Sequence, residues 1–302
     1  MYADSPSKVA VAHTSDRRAG VHRSIAALGV NPVRNKAVLI KPNFNTADPS
    51  PGSTHNDTLL ALVEEIWALG ARSVSLGERS YPPTRSVMAQ KGIVPPLAAL
   101  DVRILDFDDL APDDWVKVDA QDSHWRDGFR VARPVLEAEC LVSTGCLKTH
   151  QFGGVFTHSL KLHVGVVPTA RHGFDYMREL HSSPFQRQMI AEINAAFAPD
   201  LVVMDGVEVF VDGGPAAGKR VRGEVCLASA DRVAVDAVGV AVLKRLGSNA
   251  AIMGRPIFAQ EQIARAVELG LGAASPDAII LAAADASSVD YCERLQAILA
   301  DG

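Results

Sequence analysis

The chain has 302 residues, 48% of them hydrophobic and 22% charged, with a formal net charge of -5 at pH 7. This is ordinary globular composition, and the length suits two domains or one large α/β unit. A mildly acidic balance lacks the basic footprint of a nucleic-acid binder, no run reaches the ~18 apolar residues of a membrane span, and the leading stretch turns polar too early for a signal peptide, so a cytoplasmic protein is expected.

In chain order, "KAVLIKPN" (36–43) reads as a strand ending in a loop. "THNDTLLALVEEIWALGA" (54–71) reads as a helix, with Thr54 or Asn56 offering the N-cap and Gly70 the stop. Leu59, Leu62, Val63, Ile66 and Leu69 fall on one face of it. Strands follow at 73–78, 101–107 and 140–145, with a hairpin-type excursion over 114–135. This alternation predicts an α/β fold: a mainly parallel sheet with helices on both faces. The lobes expected are residues 1–145 and 146–302, with a crevice between them as one arrangement.

Regular periodicity is lost over 146–182, a stretch rich in Gly, His and Lys, and a loop of that length is usually functional. It is expected to cover the active site, anchored by Phe152, Phe156, Leu160, Val164, Val166 and Val167. Regularity returns with a helix at 183–198, a strand at 200–206, a glycine-rich loop at 211–221, a strand at 224–230, helices at 233–247 and 256–272, and a strand at 277–284.

Chemistry-bearing residues collect where strands end. Lys41 closes the first strand and is followed by Pro42 and Asn43, the place where open α/β sheets bind ligands. The loop after it leads to Thr54 at a helix N-terminus, where amides can meet a phosphate or carboxylate. Glu78 ends the next strand, where a carboxylate can orient a lysine, hold a metal or act as a base. Lys148 and His150 follow the third strand, and His158, Lys161, His163, Arg171, His172 and His181 come next. Five of the nine histidines lie within 150–181, which makes the clustering hard to attribute to chance. Asp205 ends a later strand, and Gly213-Gly214-Pro215 forms a turn that lets backbone approach a ligand closely. The expectation is that Lys41, Glu78, Lys148 and Asp205 share one sheet edge. Asp231 is read as a helix cap and Asp236 as a ligand of main chain. Of the four cysteines, Cys140 and Cys146 flank a strand-like run and read as core thiols, with a thiol pKa lowered by Lys148 as the alternative at Cys146.

Such a cluster can clamp an anion and stabilise developing negative charge. Its histidines can exchange protons near neutral pH, and a buried lysine can do the same once its pKa falls. It could also hold a divalent metal, although no H-x-x-x-H or H-E-x-x-H pattern is present. Lys161, among Leu160, Leu162 and Val164, is the leading candidate for proton transfer.

The motifs "VLIKPNFN", "GSTHND…ALVEEIWALGA", "LGE", "LKTH", "HSLKLHVGVVP", "MDGVEVFVDGGP" and "LASADRVAVDAVG" occur in that order over roughly residues 36–247. Together they resemble the domain-of-unknown-function-362 family. The resemblance implies an α/β domain, to which many members add a ferredoxin-type module. No such cysteine spacing occurs in this sequence, so no iron–sulfur cluster is expected. Where the family pattern reads Lys-Asn, this chain has Lys161-Leu162. A fainter likeness runs to the lactate racemase family, whose glycine-rich segment carries a lysine-borne nickel pincer cofactor, with a histidine downstream that ligates the nickel. Lys161 followed by His172 or His181 matches that order. The expected function is acid–base chemistry on a small anionic metabolite: isomerisation, elimination, or substitution with an anionic leaving group. The alternative is a non-catalytic accessory protein that holds a metal or cofactor for a partner. A homodimer or a partner protein is compatible with either.

Overall fold

The computed structural model describes residues 6–119 and 122–302. The start of the N-terminal stretch and two positions of the 114–135 excursion lie outside the described residues.

The strands are β1 (Ser7–His13), β2 (Ala37–Lys41), β3 (Ser73–Glu78), β4 (Val102–Asp106), β5 (Trp115–Val118), β6 (Phe129–Ala132), β7 (Cys140–His150), β8 (Val155–Thr157), β9 (Ala170–Arg171), β10 (Phe174–Asp175), β11 (Leu201–Gly213), β12 (Gly218–Ser229) and β13 (Ile279–Ala283). Nine of them form one sheet in the order β13-β1-β12-β11-β7-β2-β3-β4, with β8 added onto β7. The run β11-β7-β2-β3-β4 is parallel throughout, as is β1-β13, whereas β12 runs antiparallel to both neighbours. β5 and β6 pair separately as the expected hairpin.

Helices cover both faces. Alternate residues of one strand enter different cores because strand side chains have a period of two. Val38, Ile40 and Val142 join one core with Leu59, Leu62 and Ile66 of the helix Asn56–Ala68. Leu39, Leu141 and Val202 join the other with Val235, Val238 and Val242 of the helix Arg232–Arg245. Burial on both sides explains why these strands read as continuous apolar runs.

Several elements differ from the sequence expectation. β7 continues to His150, because β8 supplies an antiparallel partner beyond the point where β2 ends, pairing Lys148 with Thr157 and His150 with Val155. The segment 146–182 is therefore not one long loop but strand, hairpin and short helices. Phe156, Leu160, Val164, Val166 and Val167 are buried as expected, while Phe152 is 64% exposed. The glycine-rich loop shrinks to residues 214–217, since β11 and β12 run on into a long hairpin. The lobe boundary drawn at 145/146 falls inside β7, and strands from either side of it hydrogen-bond in one sheet. His55, rather than Thr54 or Asn56, caps the first predicted helix, its ring accepting from the Asp57 amide. Among the described residues no helix is long and apolar enough to cross a membrane.

Candidate functional site

The parallel strands β2 and β3 end together beside the longer β7, and residues at these strand ends help to line a cavity of about 530 Å³. At its floor Lys41 meets Glu78 at 2.5 Å, each only 1% exposed. The Glu78 carboxylate also accepts from the amides of Phe44 (2.8 Å) and Arg79 (2.9 Å), and Lys41 donates to the Pro42 carbonyl at 2.7 Å. Burial pushes the Glu78 pKa up and the Lys41 pKa down, and the opposite charge works against each shift. Glu78 thus accepts from three donors, among them Lys41, whose ammonium it orients. Gly165 lies against the pair: a Cβ there would sit 2.8 Å from both Glu78 Oε1 and Lys41 Nζ.

Arg79, next to Glu78, fastens the cover. Its guanidinium donates to the carbonyls of Val167 (2.7 Å) and Val164 (3.3 Å) and to Thr169 Oγ1 (2.9 Å). A loop held by a buried fork of this kind is fixed in orientation as well as position.

The facing wall comes from β7 and β8. Lys148 Nζ donates to the carbonyls of Gly52 and Pro215, and burial brings its pKa down to about 8. His150 is 7% exposed, and burial, helped by the positive charges of Lys161 and Lys148, takes its ring down to about 2. It is therefore a neutral imidazole at physiological pH.

Lys161 stands on the one-turn helix Ser159–Leu162. The Asp236 carboxylate receives the amides of Ser159 (2.7 Å) and Leu160 (3.1 Å), and Asn194 Nδ2 donates to the Leu160 carbonyl at 3.0 Å. The first two residues of that turn are thereby tied to deep core elements. The lysine itself makes no hydrogen bond or ion pair among the described residues and opens into the cavity. Enclosure, followed by the charge of Lys148, lowers its pKa to about 8. Gly154 allows the close fit, since a Cβ there would lie 2.5 Å from Lys161 Cε and 3.0 Å from His150 Nδ1. The cavity lining holds Lys41, Arg79, Lys148, Lys161 and Arg178 against two carboxylates, Glu78 and Asp175. An arrangement with that excess of cations attracts an anion.

Of the residues singled out in the sequence, Lys41, Asn43, Glu78, Lys148, His150, Lys161 and His181 line this cavity. The others stand elsewhere, for identifiable reasons. Asp205 ends its parallel register at the same sheet edge, but its carboxylate is taken by Arg17 (2.8 Å), Thr58 (2.7 Å) and the Val207 amide. Thr54 Oγ1 braces the loop by accepting from the Asn43 amide and donating to the Thr144 carbonyl. His163 is fully buried between Ser143 (2.8 Å) and Asn194 (2.7 Å), and His158 is buried beside Phe156 and Gly239. Arg171 lies over the Trp115 ring, and His172 is exposed outside the cavity. Gly213 and Gly214 shape the hairpin turn at positive φ, while the next residues, Pro215 and Ala216, reach the lining. Cys146 follows the core-thiol reading rather than the alternative of a thiol pKa lowered by Lys148. Burial pushes its pKa up to about 12, and all four cysteines are buried and unpaired by disulfide. Asp231 caps the helix Arg232–Arg245 as read.

Sequence reasoning missed Arg79 and Thr157. Arg79 directly follows Glu78 at the strand end and could have been found there. Thr157 becomes visible only once the Gly153-Gly154 turn folds β8 back onto β7. No group of three or more His, Cys, Asp or Glu side chains is arranged to hold a metal among the described residues. Of the histidines implied by the lactate racemase likeness, His181 lines the cavity and His172 does not. Among the described residues this donor set does not fit a protein-held metal.

A thylakoid-associated protein of Synechocystis sp. is 26% identical over 210 residues, which is 68% of this chain and 63% of that protein. The chain therefore matches less than two thirds of that relative's length. The solved lactate racemase apoprotein from Thermoanaerobacterium thermosaccharolyticum aligns with a TM-score of 0.44 at 14% identity, over 94% of this chain and 85% of that one. A family model matches residues 38–241, the span that contains Lys41, Glu78, Lys148, His150 and Lys161, and the chain belongs to that family, described as Domain of unknown function (DUF362).

Proposed function

We propose that this protein is an enzyme that moves a proton on a small anionic metabolite held in the cavity at the carboxyl ends of β2, β3 and β7. One observation carries the reading. Lys161 opens into a cation-rich cavity with no acceptor or counter-ion, and its pKa stands at about 8. An amine with that pKa exchanges protons near neutral pH, as an ordinary lysine does not. Lys148, with Arg178 further out, supplies charge for the anion, and neutral His150 lies close to the Lys161 side chain. Lys41 and Glu78 keep the floor rigid. Proton abstraction next to an acidic group serves isomerisation and elimination alike, and the excess of cations stabilises the charge that develops in either.

The test is proton exchange. A panel of small carboxylates, phosphate esters and sulfate esters is incubated with the protein in heavy water and followed by NMR for deuterium incorporation and turnover. Activity on at least one class is expected, and both Lys161→Met and Lys161→Arg should lose it, because guanidinium stays protonated. Full activity of the arginine variant would remove Lys161 from proton transfer. Anion binding with no exchange across the panel would favour a non-catalytic carrier instead.

A further inference from the structure

The β7–β8 hairpin carries polar atoms that the fold itself leaves unused. Lys148 stands opposite Thr157 in the antiparallel register, and His150 is two residues further along β7. Directly opposed residues, and residues two apart on one strand, share a face. All three line the cavity. Thr157 is 6% exposed and His150 7%, yet Thr157 Oγ1 and His150 Nδ1 have no hydrogen-bond partner. An unsatisfied buried polar atom costs about 1–3 kcal/mol, and folded proteins keep few of them. Two on one face beside a buried ammonium, with Lys161 Cε and His150 Nδ1 both crowding the space over Gly154, mark a site completed by its ligand.

Resting on the anionic substrate proposed above, we infer that Thr157 and His150 are the paired donors that hold the substrate's oxyanion against Lys148, leaving Lys161 on the facing turn free to move the proton. The Thr157 hydroxyl and the neutral imidazole N–H donate without adding positive charge. Charge-assisted bonds to an oxyanion are stronger than neutral ones. Division of labour follows: one lysine binds while the other exchanges its proton. The chemistry recognised is an oxyanion with two oxygens turned to one wall. Carboxylate, phosphoryl and sulfo groups share it.

The experiment titrates acetate, inorganic phosphate and sulfate into the full chain by calorimetry, with melting curves recorded in anion-free buffer. Thr157→Val keeps the side-chain shape and removes the hydroxyl, and Thr157→Ser restores it. Without anion, the valine variant should melt at or above the wild-type temperature, because a polar atom with no partner has been replaced by a methyl. Its Kd for the preferred anion should rise about tenfold or more, as loss of a hydrogen bond to a charged group implies, while the serine variant stays near wild type. The anion that loses most affinity identifies the group the site is shaped for. A valine variant that binds like wild type overturns the inference, as does one that melts lower without anion. Lysine variants separate this outcome from the broader reading. If Lys148→Met loses binding and Thr157→Val does not, only the donor assignment fails. If the wild type binds none of the three anions, the anionic-substrate reading itself fails.

Discussion

The Lys41–Glu78 pair permits a quantitative prediction that needs no substrate. The two groups meet at 2.5 Å and are each 1% exposed, so neither charge can turn to water when its partner is removed. Breaking a buried pair in that way typically destabilises by about 3–5 kcal/mol. Glu78→Gln should approach the lower end of that range, because burial already lowers the Lys41 pKa and favours its neutral form once the counter-charge is gone. Lys41→Met should cost less than Glu78→Gln, because the carboxylate keeps the amides of Phe44 and Arg79 as donors. The double variant should be far more stable than the sum of the singles predicts. The direction of the pKa shifts supports this. A carboxyl with a raised folded pKa loses stability as pH rises through that value, and a lysine with a lowered one loses stability as pH falls through its own. Charging both groups in the core is therefore a net cost, and the pair offsets it only while both members are present. Urea unfolding at pH 7, followed by tryptophan fluorescence, gives the cycle. A coupling energy of about 1–3 kcal/mol is expected, and additivity within about 0.5 kcal/mol would refute the reasoning.

Further outcomes follow from the same geometry. With Lys161 as base, kcat at saturating substrate should rise with pH through about 8 as the amine loses its proton, while KM rises over the same range as Lys148 loses the charge that binds the anion, so that kcat/KM is bell-shaped. A pH–rate profile with a flat alkaline limb starting below pH 7 would contradict this. Gly154→Ala puts a Cβ 2.5 Å from Lys161 Cε, so the flexible lysine tail must move. Activity should drop by about tenfold or more with little change in melting temperature, since misplacing a reacting group by an ångström is costly. Asp236→Ala leaves the amides of Ser159 and Leu160 without their acceptor, at about 1–3 kcal/mol each. Chemical denaturation should show that loss, and activity should fall with it as the turn carrying Lys161 loosens.

The sequence by itself determined the layered α/β fold and the strand ends where chemistry collects. Both are local signals: a buried parallel strand must be continuously apolar, so its last residue, Lys41 or Glu78, announces the sheet edge. Lys148, His150 and Lys161 were legible for the same reason, as charged residues at the end of an apolar run or among apolar neighbours. What sequence could not decide is which polar side chains near those ends face the cavity and which face the protein. His163 and Lys161 are two positions apart and differ completely, because Ser143 and Asn194, distant in sequence, close around the histidine. Asp205 reaches the same edge as Lys148 yet belongs to Arg17 and Thr58, and at Cys146 burial outweighs the lowering effect of the nearby lysine on the thiol pKa. Thr157 joins the wall only because β8 folds back to extend β7 past the end of β2. Burial and long-range partners set those roles, and both arise only when the chain is packed.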